Sequence, residues 1–384
     1  MYLTENTRIR TEPSRIAEFC ICSIVFLLIS IPAHSSDYNA KSLDDFWTLH
    51  EFNELNKQQK RAHKAFENRV REAAVPIEVT TKPVRIAVIY PGQQVSDYWR
   101  RSLISFEARL KELKLQYEIS SFFSGSPSLV GNQAKLISDA LMNDPDYLVF
   151  TLDALRHKSI VERLISRGRP KVILQNITTP VKAWRDRQPF LYVGFDHLIG
   201  TDLLIHYYKD RIGEKKPFAI LFGPRGYVSR ARGNTFLQAY SDPDALNLRA
   251  SYYVGYDRQK AFNAATEILS VNSDLEFIYS GSTDIALGAV KAIQDQGRRE
   301  DVITNGWGGG SDELDAILSG DLDVTVMRIN DDNGVAMAEA VALDATGNGD
   351  QVPVVYSGDF ELVTSNDTEE RIDRLKDRAF RYSK

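Results

Sequence analysis

The stretch that decides the fold is Thr304-Asn305-Gly306-Trp307-Gly308-Gly309-Gly310-Ser311. A short apolar run, Val302-Ile303, leads into it, and the helical pattern Glu313-Leu314-Asp315-Ala316-Ile317-Leu318 follows. Together they read as strand, glycine loop, helix. In an open parallel sheet, ligands bind at the carboxyl ends of the strands, where such loops lie. Glycines let the backbone turn sharply and approach a ligand closely. Trp307 either lies along a ligand or caps the core beside a plain turn, and this stretch alone leaves both readings open.

Working outward, the same alternation extends over most of the chain. Strands are expected at 84–90, 115–120, 147–152, 171–176 and 191–195, with helical patterns at 98–113, 129–142 and 159–167. In the first of these helices Leu103, Phe106, Leu110 and Leu113 recur every three to four residues, an apolar face. Near-continuous apolar strands such as Ile86-Ala87-Val88-Ile89 fit a parallel sheet covered on both faces. A second array follows, with strands at 218–222, 250–254, 277–279, 301–305 and 324–327 and helices at 198–211, 230–240, 259–269, 285–294 and 313–318. The tail predicts a helix at 334–345, strands at 354–356 and 361–363, and a helix at 369–379. Strand, helix, strand at this spacing implies βαβ units. The expected fold is therefore α/β: two hinged, doubly wound parallel-sheet lobes. The N-terminal lobe is expected at 83–196 plus 331–356 and the C-terminal lobe at 197–330 plus 357–384, with the chain crossing between them. Residues 36–82 read as an N-terminal extension that packs on a lobe.

Composition narrows the function. The 384 residues suit two domains. Charged residues at 26% and hydrophobic ones at 43% are ordinary for a globular protein. A net charge of -5 argues against a nucleic-acid or polybasic membrane role. Residues 1–35 read as an export signal: Arg8, Arg10 and Arg15 flank an apolar run from Ile21 to Ile31, and Ala33-His34-Ser35 fits a small-x-small cleavage site. That run is short for a membrane span. Both cysteines, Cys20 and Cys22, lie in this segment, so the exported chain is expected to carry neither disulfides nor a thiol nucleophile. The expected location is the periplasm.

Polar and aromatic residues cluster just after the expected strands. Gln94, Ser96 and Trp99 follow the first; Asn176 ends the fourth; Arg232 follows strand 218–222; Ser282, Thr283 and Asp284 follow 277–279; Arg328 follows 324–327. Asp284 can accept bonds from two hydroxyls, Gln94 and Asn176 can donate and accept, and the arginines can place planar donors on an anion. Trp99 and Trp307 can stack on the apolar face of a ring. Each also has a plainer role: Asp284 as a helix cap, Ser282 and Thr283 as turn formers, Arg232 as a solvated helix residue, Arg328 as an interdomain ion pair, Asn176 as a turn residue and Trp99 as core. Their joint placement at strand ends in both arrays favours a site for a small, hydroxyl-rich, anionic ligand. An enzyme finds little support, because no Walker loop, HExxH or G-x-S-x-G motif occurs. A helix-turn-helix repressor needs a basic DNA-binding segment that is absent.

Several stretches together resemble the LuxP family, the periplasmic autoinducer-2 receptors of vibrios. They are Tyr90-Pro91-Gly92-Gln93-Gln94-Val95-Ser96-Asp97-Tyr98-Trp99, Leu174-Gln175-Asn176-Ile177-Thr178-Thr179-Pro180, Tyr192-Val193-Gly194-Phe195-Asp196-His197, Ser282-Thr283-Asp284, Asn305-Gly306-Trp307-Gly308-Gly309-Gly310, Met327-Arg328 and Tyr356-Ser357-Gly358-Asp359-Phe360-Glu361. The resemblance runs from about residue 83 to the C terminus and departs most in the signal segment and in 36–82. It implies a type I periplasmic-binding-protein fold and a furanosyl borate diester, autoinducer-2, as ligand. By position it implies a pocket of Gln94, Ser96, Trp99, Asn176, Arg232, Ser282, Thr283, Asp284, Trp307 and Arg328. It implies no cofactor apart from the borate within the ligand, and as partner the periplasmic domain of a LuxQ-type membrane sensor histidine kinase. The alternative expectation is a sugar-binding receptor of a transport system; an enzyme acting on a sugar-like substrate is the third.

Overall fold

A computed structural model describes residues 43–77, 82–92, 96–124, 130–151 and 155–384. The expected signal segment, both cysteines and Gln94 lie outside the described residues. The described residues belong to one compact unit. It opens with helices α1 (Leu49–Leu55) and α2 (Lys57–Arg71). The first array follows: β1 (Val84–Pro91), α3 (Tyr98–Glu112), β2 (Tyr117–Ser124), α4 (Val130–Leu141), β3 (Tyr147–Thr151), α5 (Leu155–Arg167), β4 (Lys171–Gln175) and β5 (Leu191–Gly194). The second is α6 (His197–Ile212), β6 (Phe218–Phe222), α7 (Tyr227–Ser229), α8 (Thr235–Tyr240), β7 (Leu248–Tyr253), α9 (Arg258–Val271), β8 (Phe277–Ser280), α10 (Thr283–Asp295), β9 (Ile303–Gly308), α11 (Ser311–Leu318) and β10 (Val324–Arg328). The chain ends with α12 (Asp331–Ala345), β11 (Val355–Ser357), β12 (Phe360–Thr364) and α13 (Glu369–Ala379).

These strands form two six-stranded sheets, in the orders β11-β5-β4-β3-β1-β2 and β12-β10-β9-β8-β6-β7. All pairings in the first are parallel. In the second, only β12 runs antiparallel, against β10. Helices cover both faces of each sheet, which is why β3 and β6 are buried along their whole length. One face of the first sheet packs on α2, α3 and α12, through Phe66, Val70, Phe106 and Val341. The close approach of α12 to α3 depends on small residues: a Cβ at Gly334 would lie 2.1 Å from Ser105 Oγ.

The chain crosses between the sheets three times: after β5, after β10 and after β11. The three crossings run side by side. Gly358 N–H donates to Gly194 O at 2.9 Å, and Ile329 N–H to Asp359 O at 3.0 Å. Three adjacent single strands joining two rigid sheets form a hinge.

Three expectations are corrected. Most of the opening stretch is strand, not loop: β9 continues to Gly308, and the left-handed turn comes at Gly309 (φ +64). Its glycines serve close approach, since a Cβ at Gly306 would lie 2.5 Å from a carboxylate oxygen of Glu313. The single helix expected at 230–240 is a π-helical turn at Arg230–Asn234 followed by α8, and the short α7 precedes them. The strand expected at 115–120 begins later and extends to Ser124, because β2 is an edge strand whose alternating exposure gives only a weak apolar signal.

Candidate functional site

Nine of the ten side chains expected at the site line one cavity of about 60 Å³ between the sheets: Ser96, Trp99, Asn176, Arg232, Ser282, Thr283, Asp284, Trp307 and Arg328. Gln94 lies outside the described residues. The volume accommodates about five water-sized groups, the scale of one small ring. Five further residues outside the expected set contribute to its wall: Pro91, Tyr98, Thr151, Val228 and Tyr256. Tyr98 stands inside the quoted loop, beside the chosen Trp99. Tyr256 follows β7, so the strand-end rule could have found it.

Each element places its residue for a local reason. The first turn of α3 carries Tyr98 and Trp99, whose rings meet edge to face at 4.7 Å between centroids. Asn176 turns the chain off β4 in the left-handed region (φ +65), a conformation asparagine tolerates better than most residues. Its turn role and its place in the cavity are thus compatible, and its Oδ1 is buried with no partner. Ser282 is the N-cap of α10 but makes no side-chain cap bond, and its buried Oγ is likewise unpaired. Asp284 is not the cap: α10 starts at Thr283, earlier than expected, which puts Asp284 in the first turn. A carboxylate there is favoured by the helix dipole.

The two arginines dominate the electrostatics. Arg232 sits in the π-helical turn, buried, not solvated as a plain helix residue would be. Its Nη1 donates to Gly281 O at 2.9 Å and its Nε to His197 Nδ1 at 3.4 Å. Its guanidinium carbon lies 3.5 Å from the centre of the Trp307 ring. Burial, and then repulsion from Arg328, push its pKa down to about 9. Arg328 is also buried, and burial lowers its pKa too. It lies 4.1 Å over the Tyr98 ring, and its Nε has no partner. The charges of Glu313 and, from the first array, Asp97 reach Arg328 and favour its protonated form. Arg230, by contrast, points to Phe46 at 5.5 Å and is not among the cavity-lining side chains.

His197, at the start of α6, ties the two sides together. Its Nε2 lies 3.1 Å from the acceptor Asn176 O and its Nδ1 accepts from Arg232, so Nε2 carries the proton. Burial, and then the Arg232 charge, hold its pKa well below the usual imidazole value, so the ring is neutral. Asp97, the N-cap of α3, accepts from Ser311 Oγ at 3.3 Å, and Arg101 Nη2 donates to the same hydroxyl at 2.9 Å. Among the described residues, no group of three or more His, Cys, Asp or Glu side chains is placed to hold a metal, and no helix is long and apolar enough to cross a membrane.

Known proteins share this architecture. The ribose import binding protein RbsB of Salmonella typhimurium is 28% identical over 173 residues, 45% of this chain and 57% of the relative. The D-allose-binding periplasmic protein of Escherichia coli is 29% identical over 158 residues, 41% of this chain and 50% of the relative. The chain thus spans about half the length of the curated relatives it matches. Among solved structures, an Actinobacillus succinogenes periplasmic solute binding protein with bound D-allose aligns with a TM-score of 0.63 at 21% identity, over 76% of this chain and 100% of that one. GanP, a glucose-galactose binding protein from Geobacillus stearothermophilus, aligns with a TM-score of 0.65 at 19% identity, over 75% of this chain and 100% of that one. At these identities the structural likeness shows the fold: two parallel-sheet lobes of the type I periplasmic-binding-protein class. The relatives are named as binding proteins, not enzymes. With the family pattern described as periplasmic binding protein domain matching residues 86–349, the chain belongs to that family.

Proposed function

We propose that this chain is a periplasmic receptor that closes its lobes on a small, hydroxyl-rich ring carrying one negative charge, and that autoinducer-2, as the furanosyl borate diester, is that ligand. The observation that carries the reading is the arginine pair. Two buried guanidiniums line one small cavity, and an arriving anion repays desolvation that their aromatic neighbours offset only in part. The charged side chains of the wall are Arg232 and Arg328 against Asp284, a net +1 that matches a monoanion. Asn176 Oδ1 and Ser282 Oγ offer acceptors and a donor for ring hydroxyls. The resemblance of seven stretches to autoinducer-2 receptors supports the same ligand. The chain binds and releases it without turnover, needs no cofactor beyond the borate in the ligand, and reports occupancy to the periplasmic domain of a LuxQ-type sensor kinase. The ten side chains, Gln94 among them, form the contact set.

A second reading, a sugar receptor of a transport system, is favoured by the relatives, which are named for ribose and D-allose. A neutral sugar needs no anion clamp, although arginine also donates to plain hydroxyls. Boron-11 NMR on the chain with autoinducer-2 precursor, with and without borate, separates the two. A bound tetrahedral boron signal that is lost in Arg232→Ala supports the receptor reading. No boron signal, with a calorimetric response to D-ribose or D-allose, replaces it with the transport reading.

A further inference from the structure

In the sequence Glu313 marks only the start of a helix. In the structure it is fully buried in the first turn of α11. Its carboxylate takes three donors. Oε1 accepts from Trp307 N–H at 3.0 Å; Oε2 accepts from Gly309 N–H at 2.7 Å and from the Thr325 hydroxyl at 2.5 Å. The glycines of β9 are cut to fit it, since a Cβ at Gly306 would lie 2.5 Å from Oε2 and 2.8 Å from Thr325 Oγ1. On the other side of the same backbone stands the ligand cavity. A Cβ at Gly308 would lie 2.5 Å from Arg328 Nη2, and the Trp307 ring carries Arg232. One carboxylate therefore holds the three-residue wall, Trp307-Gly308-Gly309, on which both arginines rest.

We propose that Glu313 is the positioning residue of the site: it fixes the backbone of Trp307 to Gly309 and, through that wall, the seats of Arg232 and Arg328. This inference rests on the reading of the cavity as a ligand site. Two features support it besides the hydrogen bonds. A buried carboxylate with three donors has few other geometries open to it, so the wall is preorganised before ligand arrives. Its charge also reaches both guanidiniums and favours their protonated forms, without direct contact.

The test is Glu313→Gln in the full chain. The glutamine oxygen can keep Gly309 and Thr325, but its amide group then meets the Trp307 N–H donor to donor. Two readouts need no ligand: amide exchange at Trp307, and the arginine Nε signals of a nitrogen-15 spectrum, assigned with Arg232→Ala and Arg328→Ala. A third is the calorimetric affinity for autoinducer-2 precursor with borate and for D-ribose. Expected are faster exchange at Trp307 with unchanged exchange in β1, shifted Nε signals for both arginines, and an affinity about tenfold weaker for whichever probe the wild type binds. Unmoved Nε signals overturn the proposal. So does an unchanged affinity beside moved signals. If the wild type binds neither probe, the ligand reading falls and the Nε signals alone decide this proposal. Should Glu313→Gln fail to fold, Thr325→Val removes one of the three donors and is read by the same signals.

Discussion

The Arg232 guanidinium stacks on Trp307, 3.5 Å from the ring centre. One face of the indole is therefore taken by an arginine and is closed to a ligand ring. His197 and Phe360 meet the same indole edge to face, at 5.3 and 5.6 Å between centroids. Trp307 acts as a platform for a cation, and the cation serves the cavity. A cation over a desolvated indole is worth about 2 kcal/mol, which offsets part of what burying Arg232 costs.

From this it follows that Arg232→Ala and Arg328→Ala each weaken binding of an anionic ligand by about 2–5 kcal/mol, because a desolvated anion loses a charged donor. Isothermal calorimetry measures this directly. Unchanged affinity in both variants removes the anion from the reading.

Binding of the anion is expected to depend on pH above neutrality. With its pKa near 9, free Arg232 is protonated at pH 7 and loses its proton as pH rises through 9. A bound anion raises that pKa, so binding takes up a proton in this range and affinity falls as pH rises. A neutral sugar shows no such limb from Arg232. In Arg328→Ala the limb shifts to higher pH, since the repulsion that helps depress Arg232 is gone. A titration of affinity from pH 7 to 10.5 shows whether it moves.

Asn176 separates fold from site. Asn176→Gly retains a residue at ease at φ +65 and removes the unpaired Oδ1. Stability should change by less than about 1 kcal/mol while ligand affinity drops. Asn176→Val strains the backbone as well and should lower the melting temperature. Equal melting temperatures for the two variants contradict this account.

Far from the cavity, α3 and α12 are joined by a buried ion pair. Arg109 Nε donates to Glu339 Oε1 at 2.7 Å, and both side chains are fully buried. Arg109 also holds the end of α2 through the carbonyls of Arg69 and Glu72, at 3.2 and 2.9 Å. Glu339→Ala leaves that guanidinium only the half-exposed Glu112, 3.4 Å from Nη1, and should cost about 3–5 kcal/mol in urea unfolding. Replacing both partners with apolar residues of similar size should cost far less.

Much of this was legible along the chain because it is local. The period of the apolar residues marks α13 and β6 to the residue, and the strand-end rule gathers nine side chains that share a cavity. The misses have physical causes. Glycine at 306 and 308 reads as a turn, yet it accommodates Glu313 and Arg328, partners that come from a following helix and a neighbouring strand. The π-helical turn at Arg230–Asn234 leaves the helical spacing of apolar residues nearly intact, so no period reveals it. Tyr98 and His197 carry no signature that separates a cavity residue from a core aromatic.

By itself the sequence determined the alternation of strands and helices, the two arrays, and which residues stand at strand ends, because hydrophobic period and turn chemistry are set by near neighbours. Only the tertiary structure decided that Arg232 and Arg328 meet in one desolvated space, that Trp307 carries a guanidinium on its face, and that Glu313 stands behind both. Those relations depend on distance and burial between residues up to 96 positions apart, and charge chemistry follows the local dielectric, which no linear pattern records.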